Sequence, residues 1–426
     1  MSGNLTNVLP EESQTATAVL AWWKARGDAE PRRRYLGMSA IGEECERRLW
    51  YSFRHAAQED FPGRLYRLFN RGHREEEIIA EELRGIGCTV LLEDENGKQF
   101  GFSGVGGHFK GHMDAAILGV PEAPKTWHLG EFKTHSAKLF ADLAKKGVQA
   151  AKPVHYAQMQ IYMRKSGMTR ALYYAVNKDT DEVYVERVRY DAAFAAGLEA
   201  KAERIITATK PPARIAERRD DFRCKFCPAK SLCHGTSGEE PAVPISKPSC
   251  RQCVHATPEL DGDGRWSCAK HGKDLSTEDQ ERTCRSFLLI PDFVTFAEPV
   301  DAHKTESGDD VIEFRNLADG SIWHHGPDRE AGHWTVADLL SKPMGELRMP
   351  SLLEQSQGWG MTSYAVHGLE HLTAAWKHLT HLNDFPEPLK TEKGDGYEIT
   401  EFPGGDFVLV APAEDYAEIR YNNIPF

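Results

Sequence analysis

Asp114, Glu131 and Lys133 are the residues of this chain whose types and spacing most readily do chemistry together. Asp114 closes Gly111-His112-Met113-Asp114 inside an apolar-leaning run, Phe109 to Leu118, that reads as a strand. Glu131 and Lys133 are two apart on a second such run, which begins at Trp127. Residues two apart on a strand share a face. If the two strands pair as a hairpin, two carboxylates and one ammonium converge at one end of a sheet. Paired acidic oxygens suit a hard divalent cation such as Mg²⁺, which binds through few carboxylates and keeps positions open for water and phosphate oxygens. A lysine beside them can hold or deprotonate an attacking water and stabilise charge that develops on a phosphate.

Helices and strands on either side must hold this group. From about Leu68 to Arg84, the apolar positions Leu68, Phe69, Ile78, Ile79 and Leu83 fit a helix packed by one face, ending at Gly85 or Gly87. That helix carries Arg71-Gly72-His73-Arg74-Glu75-Glu76, with His73 and Glu76 three apart and so on one side. Cys88 to Glu93 and Gln99 to Ser103 read as strands around an Asn96-Gly97 turn. After Thr134 comes a polar helix with Lys138, Lys145 and Lys146 facing solvent. Pro153 opens another helix, closed by Gly167, that stacks Gln158 and Tyr162 on one face. Ala171 to Asn177 and Val183 to Arg189 read as strands, and Ala192 to Thr209 as a helix stopped by Pro211-Pro212.

In this order the motifs resemble the PD-(D/E)XK nuclease superfamily, over about residues 39–235. The Asp114…Glu131-x-Lys133 set is similar to its catalytic signature, and His73-x2-Glu76 to a helical metal-binding element of its RecB-like and phage exonuclease branch. Gln158-x3-Tyr162 is similar to that branch's Q-x3-Y element. Met113 stands where the signature has proline, at a position that varies widely in the family. The resemblance implies an α/β fold, a restriction-endonuclease-like mixed sheet flanked by helices. It implies Mg²⁺ or Mn²⁺ held by Asp114, Glu131, the Phe132 carbonyl and His73, with Glu76 supporting the ligands from behind or serving as an alternative ligand. Lys133 would position the water, and Gln158 and Tyr162 would bind the strand. The implied activity is an exodeoxyribonuclease working on single- or double-stranded ends of linear DNA, in phage or bacterial recombination, repair or replication, with a recombination protein as a candidate partner. Arg47, Arg48, Arg64, Arg67, Arg71, Lys145 and Lys146, with Tyr66 and Phe69 for stacking, are the candidate strand contacts. A catalytically idle DNA-binding module of the same fold, or an RNA nuclease, are the alternatives. The intact acid–acid–lysine set speaks against the idle module, since three such groups cost stability when brought together.

Seven of nine cysteines fall between Cys224 and Cys284. Cys224-x2-Cys227-x5-Cys233 leaves a tetrahedral or cubane site one ligand short, and Cys45 is the fourth candidate. The run, with Pro228 after its second cysteine, resembles the 4Fe-4S nucleases of the CRISPR-associated and AddB-like branches, while zinc also accepts four thiolates. Cys250, Cys253, Cys268 and Cys284 suggest a structural Zn²⁺ module, with His255 or His271 as substitutes, because so short and glycine-rich a segment holds little core. Cys88 reads as a buried core thiol.

The formal charge of −12 is the wrong sign for a protein that coats nucleic acid, but leaves room for a nuclease with local basic contacts. No stretch reaches membrane-spanning length and the start of the chain has no targeting pattern, so a cytoplasmic protein is expected. The expected organisation is a helical segment (1–38, with a helix over 11–26 placing Val19, Leu20, Trp22 and Trp23 on one side), the nuclease domain (39–235), a linker (236–248), the zinc module (249–290) and an α+β domain (291–426). Within the last, strands are expected at Val311 to Arg315 and Phe407 to Val410, and helices near Val336 to Leu340 and Tyr364 to His381.

Overall fold

A five-stranded mixed sheet carries the candidate residues. The computed structural model describes residues 13–236, 240–329 and 332–343, and beyond them the backbone of four short strands. The chain divides into two compact units, Met1–Cys233 with Lys247–Thr283, and His234–Ser246 with Cys284–Phe426. The cysteine-bearing segment expected as a separate module over 249–290 therefore belongs, up to Thr283, to the first unit. No helix among the described residues is long and apolar enough to cross a membrane.

The first unit contains helices α1 (Gln14–Asp28), α2 (Glu46–Phe53), α3 (Gly63–Gly85), α4 (Ala137–Ala151), α5 (Pro153–Ser166) and α6 (Ala192–Thr207). Its strands are β1 (Leu36–Gly37), β2 (Thr89–Leu91), β3 (Gly101–Gly104), β4 (Phe109–His112), β5 (Ala115–Leu118), β6 (His128–His135), β7 (Arg170–Asn177) and β8 (Val183–Arg189). The main sheet runs β2-β5-β6-β7-β8. Its β6–β7 pair is parallel, which requires a long crossover, and α4 and α5 supply it. The other neighbours are antiparallel. A smaller sheet has the order β1-β4-β3. The fold is the expected mixed α/β arrangement.

One local expectation changes. Phe109 to Leu118 is not a single strand: β4 pairs in the small sheet, β5 pairs in the main one, and Met113-Asp114 is the crossing between them. Met113 is buried, so the run reads as continuous although its backbone partners change. The hairpin itself forms, with Ala115 opposite Gly130, which sets Asp114 next to Glu131.

Phe132, Leu172, Tyr174 and Val176 pack from the sheet against Ile79, Ala80 and Leu83 of α3. That is one side of β6 and β7. Side chains alternate, so Glu131 and Lys133 must emerge on the opposite side, toward α5. α5 begins with Pro153 at its first position and ends at Gly167 in the left-handed region, as its sequence implies. α1 differs from expectation: none of its residues is buried, and Trp22 is 55% exposed. Gly63, at the start of α3, lies against the Leu20 carbonyl of α1, and a Cβ there would stand 1.8 Å from that oxygen. Gly63→Ala is accordingly expected to cost about 1–3 kcal/mol, read by chemical denaturation, because the obstacle is backbone and cannot swing aside. A variant as stable as the parent would show that α1 and α3 part freely.

Lys247–Thr283 adds β9 (Ala256–Pro258), β10 (Trp266–Cys268) and β11 (Lys273–Leu275), an antiparallel sheet of order β11-β10-β9. In the second unit, β12 (Ala297–Lys304), β13 (Asp310–Asn316) and β14 (Ile322–His325) form an antiparallel sheet with an irregularity between Pro299 and Asp301. The expected strands at Val311 to Arg315 and Phe407–Val410 and the helix near Val336 form there. Tyr364–Ala365 is a strand and not the expected helix start, paired with Phe407–Val410, and the rest of that expected helix lies outside the described residues.

Candidate active site

β6 presents Glu131 and Lys133 to the α5 side, and the β4–β5 crossing delivers Asp114. Asp114 Oδ2 accepts the Phe132 N–H at 2.7 Å, so the carboxylate is fixed by the backbone of the strand that carries its partners. Lys133 Nζ stands 2.5 Å from Glu131 Oε1 and 3.6 Å from Asp114 Oδ2, and donates to the Phe132 carbonyl at 2.9 Å. Glu131 is fully buried, and neither of its oxygens accepts a hydrogen bond of good geometry; the lysine contact is an ion pair off the hydrogen-bonding line. Burial pushes the Glu131 carboxyl up to about 8, against the pull of Lys133. Burial works to lower the Lys133 ammonium, but Asp114 and Glu131 outweigh it and raise the lysine. The two shifts compete, since a protonated Glu131 would not hold up its neighbour. Lys133, which also faces Asp114, is the securely charged partner, and burial makes Glu131 the one of the pair that takes up a proton.

Glu76 of α3 belongs to the same group. It is half-buried, and burial first and Asp114 second raise its carboxyl. His73 lies farther out, its side chain 75% exposed, with Nδ1 3.6 Å from Glu76 Oε1. The structure thus brings Glu76 in and leaves His73 on the rim, the reverse of their expected ranking. Tyr162 of α5 is buried and feels Glu131, Asp114 and Lys133, and Gln158 is buried one turn before it. Gly111 permits the approach: a Cβ there would stand 2.6 Å from the Tyr162 hydroxyl.

Sequence reasoning missed a third set on this face. His135 Nε2 and His155 Nδ1 both contact the Tyr173 hydroxyl, at 2.8 and 2.9 Å, and the two imidazoles stack. Tyr173 is opposite Glu131 in the β6–β7 register. The signal was present: His135 is two residues after Lys133, and His155 is three before Gln158. Burial, with the cations Lys152 and Lys133 adding to it, holds His135 down to about 4 and His155 to about 3. A histidine kept neutral by folding supports stability above its unfolded value of about 6.5 and withdraws that support as pH falls through the folded value. Thermal melts should therefore decline from about pH 6.5 downward, and His155→Gln should flatten that decline. Equal slopes in the two proteins would remove these rings from the cause.

A cavity of about 1000 Å³ is lined by Lys133, Phe132, Glu76 and His73 of this neighbourhood and also by Arg48, Arg32 and Pro228. Trp23, Tyr66 and Phe69 also line it, and Phe61 meets Tyr66 and Phe69 edge-on. Of the candidate strand contacts, Arg48 lines the cavity while paired with Glu43 at 3.2 Å and Glu59 at 2.7 Å. Arg47 bonds the Tyr51 hydroxyl and the Pro212 carbonyl, Arg71 the Lys178 carbonyl, and Lys146 pairs with Asp142. Arg64 and Lys145 are exposed, and so is Arg67.

Among the described residues no three His, Cys, Asp or Glu side chains form a ready-made metal cage. The donors still fit a small hard cation: two buried Glu131 oxygens without hydrogen bonds, Asp114 beside them, and a Glu76 carboxyl raised by the crowding. Cys45, Cys224, Cys227 and Cys233 gather in one neighbourhood, since Cys45 and Cys233 raise the thiols of Cys224 and Cys227 after burial does. Cys250, Cys253 and Cys268 lie in the first unit and Cys284 in the second.

No curated protein matches the chain. Among solved structures it is similar to SSO0001, at 15% identity over 54% of this chain and 100% of that one, with a TM-score of 0.33. It is also similar to the alkaline exonuclease LHK-Exo from Laribacter hongkongensis, at 18% identity over 43% of this chain and 90% of that one, with a TM-score of 0.31, and to LHK-Exo in complex with dAMP, at 15% identity over the same shares, with a TM-score of 0.28. The family model of the PD-(D/E)XK nuclease superfamily matches residues 8–234, where the sheet, the acid–acid–lysine group and the α5 pair all lie, and the chain belongs to that superfamily.

Proposed function

We propose that the chain is a Mg²⁺- or Mn²⁺-dependent exodeoxyribonuclease that hydrolyses linear DNA from its ends. The observation that carries this reading is Glu131, a buried carboxylate with no hydrogen bond to either oxygen, held against Lys133 and next to Asp114. A binding module gains nothing from that arrangement, which is costly until a cation and a substrate phosphate complete it. Asp114, Glu131, Glu76 and the Phe132 carbonyl would hold the ion, with His73 at the rim. When bound, the ion supplies Lewis-acid stabilisation of the phosphate and acidifies a water. Lys133, raised by its two carboxylates, stays an ammonium at neutral pH, so it orients the water and donates to the developing negative charge; it does not remove a proton. Tyr162 and Gln158 supply a phenol and an amide to a phosphate oxygen on the same side of the sheet.

The cavity that Lys133, Glu76 and His73 line, with walls from α1, α2, α3 and the segment around Pro228, supports a requirement for an end. Linear DNA with Mg²⁺ or Mn²⁺ is expected to be degraded progressively and covalently closed circles to survive, with activity falling steeply as salt rises. Discrete fragments from closed circles would reject the exonuclease reading, and faster turnover of RNA would reject DNA as the substrate. A role in phage or bacterial recombination, alongside a recombination protein, is the setting that such an activity suits.

Cys45, Cys224, Cys227 and Cys233 would hold a 4Fe-4S cluster that staples residues before α2 to those after α6. A zinc centre on Cys250, Cys253, Cys268 and Cys284 rests on spacing. Anaerobically purified protein should be brown and contain iron, sulfide and one zinc, and Cys45→Ser should bleach it without removing zinc. Zinc alone at about two equivalents would refute the cluster.

A further inference from the structure

Phe222 and Phe226 are 81% and 83% exposed, the highest values among the large hydrophobic residues described. They bracket Cys224 in the run Phe222-Arg223-Cys224-Lys225-Phe226. Each ring has a cation over it: the Arg223 guanidinium lies 5.9 Å from the Phe222 centroid, and Lys225 Nζ 5.4 Å from that of Phe226. The segment is held in shape by short turns. Asp221 caps Arg223 through its backbone N–H and its guanidinium, and the Lys225 and Cys227 N–H groups donate back to Phe222 and Cys224. Two aromatic rings are therefore presented to solvent by a pinned backbone. From Arg214 to Lys230 there are six arginines and lysines against three acidic residues, within a chain of net charge −12. Pro228, two residues beyond Phe226, lines the cavity that reaches Lys133.

We infer that Phe222 and Phe226 form a stacking platform for unpaired bases of a single-stranded polynucleotide on its way to the cavity. Two neighbouring rings more than four-fifths exposed on a pinned backbone offer faces that an occupant can cover. Phenylalanine and arginine also occur at protein interfaces, but lysine is depleted there, and the basic excess from Arg214 to Lys230 favours a polyanion over a protein partner. A single strand fits both features, because its bases stack on aromatic faces irrespective of sequence while its phosphates meet the accompanying cations. A duplex keeps its internal base faces covered and offers the rings at most the outer face of a terminal pair. This inference rests on the proposed nuclease reading for the choice of DNA. It adds that the strand reaching the site is single, and where it is held beforehand.

The test uses the full chain with Lys133→Ala to suppress cleavage, and fluorescently labelled oligonucleotides, single-stranded or blunt duplex, of one length. Phe222→Ala/Phe226→Ala should weaken single-strand binding about tenfold or more and leave duplex binding unchanged. Retention of circular dichroism would show that the fold is intact. Phe226→Trp should keep the affinity, and the emission of the introduced indole should be quenched by the unlabelled single strand. That readout stands even if the double variant folds poorly. Undiminished single-strand affinity in a folded double variant, an equal loss on duplex, or an indole emission blind to the oligonucleotide would each overturn the platform. Absence of cleavage by the parent chain with the quench intact would instead reject the nuclease reading and leave the platform standing.

Discussion

Asp114→Asn and Lys133→Met are each expected to lower DNA cleavage by about 10²–10³-fold or more, as the removal of one transition-state donor or metal ligand does elsewhere. The choice of substitutions matters. In Asp114→Asn the side-chain amide oxygen would still accept the Phe132 N–H that now binds Asp114 Oδ2, so the β4–β5 crossing should keep its place. Lys133→Met would keep an apolar stem while removing the ammonium, after which the crowding of Asp114 and Glu131 is relieved by protonation of one of them. Circular dichroism should therefore be preserved while activity is lost, and near-parental cleavage by either variant would move the site elsewhere. Metal binding gives an independent readout: Mn²⁺ should raise the melting temperature of the parent and not of Glu131→Gln. The sign of the pH effect follows from burial. Glu131 is pushed up to about 8, so below that pH the ion must displace a proton. The metal concentration required for half-maximal rate should fall as pH rises toward about 8, and a requirement that stays flat would mean that Glu131 is already ionised without the ion.

Much of this site was legible because its parts repeat at the periods that secondary structure imposes. Glu131 and Lys133 are two apart on a strand, Gln158 and Tyr162 four apart on a helix, and Pro153 and Gly167 mark that helix's ends. Other parts left no such mark. The break at Met113-Asp114 is a change of backbone partner within an apolar run, and side-chain types do not report partners. His73 and Glu76 share a helix side, but which points inward depends on the rotation of α3 about its axis, set by Ile79, Ala80 and Leu83 against the sheet. Val19, Leu20 and Trp22 have the look of a buried face, yet α1 leaves them exposed. Tyr173 joins His135 and His155 across three elements, a convergence that only the fold creates. The assignment of Lys247–Thr283 to the first unit was the least legible feature, because its anchors are a side chain meeting main-chain carbonyls, and every residue has a carbonyl.

Arg251 is that anchor, and its loss is expected to destabilise the protein although it lies outside the site. It is 1% exposed. Its guanidinium donates to the Phe53 carbonyl at 3.1 Å, the Arg34 carbonyl at 2.9 Å and Gln280 Oε1 at 2.8 Å. Arg54, also buried, donates to the carbonyls of Arg251, Ala256 and Ala208. The Trp266 ring has both guanidiniums near it, 4.8 Å from Arg251 and 5.1 Å from Arg54. Burial presses both arginines downward, so the charges carry a desolvation cost. Two effects then oppose each other in Arg251→Met. Removing a buried charge relieves desolvation, which in other proteins has made such replacements neutral or favourable. Against it, the change strands three acceptors away from water, at about 1–3 kcal/mol each. The relief, from desolvation and from the nearby Arg34 and Arg54 charges, is moderated because a guanidinium is weakly hydrated and this one lies against an aromatic face. The stranded acceptors should win, giving a net loss of about 2–4 kcal/mol, with Trp266→Ala in the range of about 3–5 kcal/mol. The pair should also be non-additive, since each removes the other's partner. Hydrogen exchange would place the damage: amides of β9, β10 and β11 should lose protection before those of β6 and β7. An Arg251→Met protein as stable as its parent would mean that the other ties of Lys247–Thr283, such as Arg54 on the Arg251 and Ala256 carbonyls and the Gly264 N–H on the Gly106 carbonyl, suffice to keep it in the first unit.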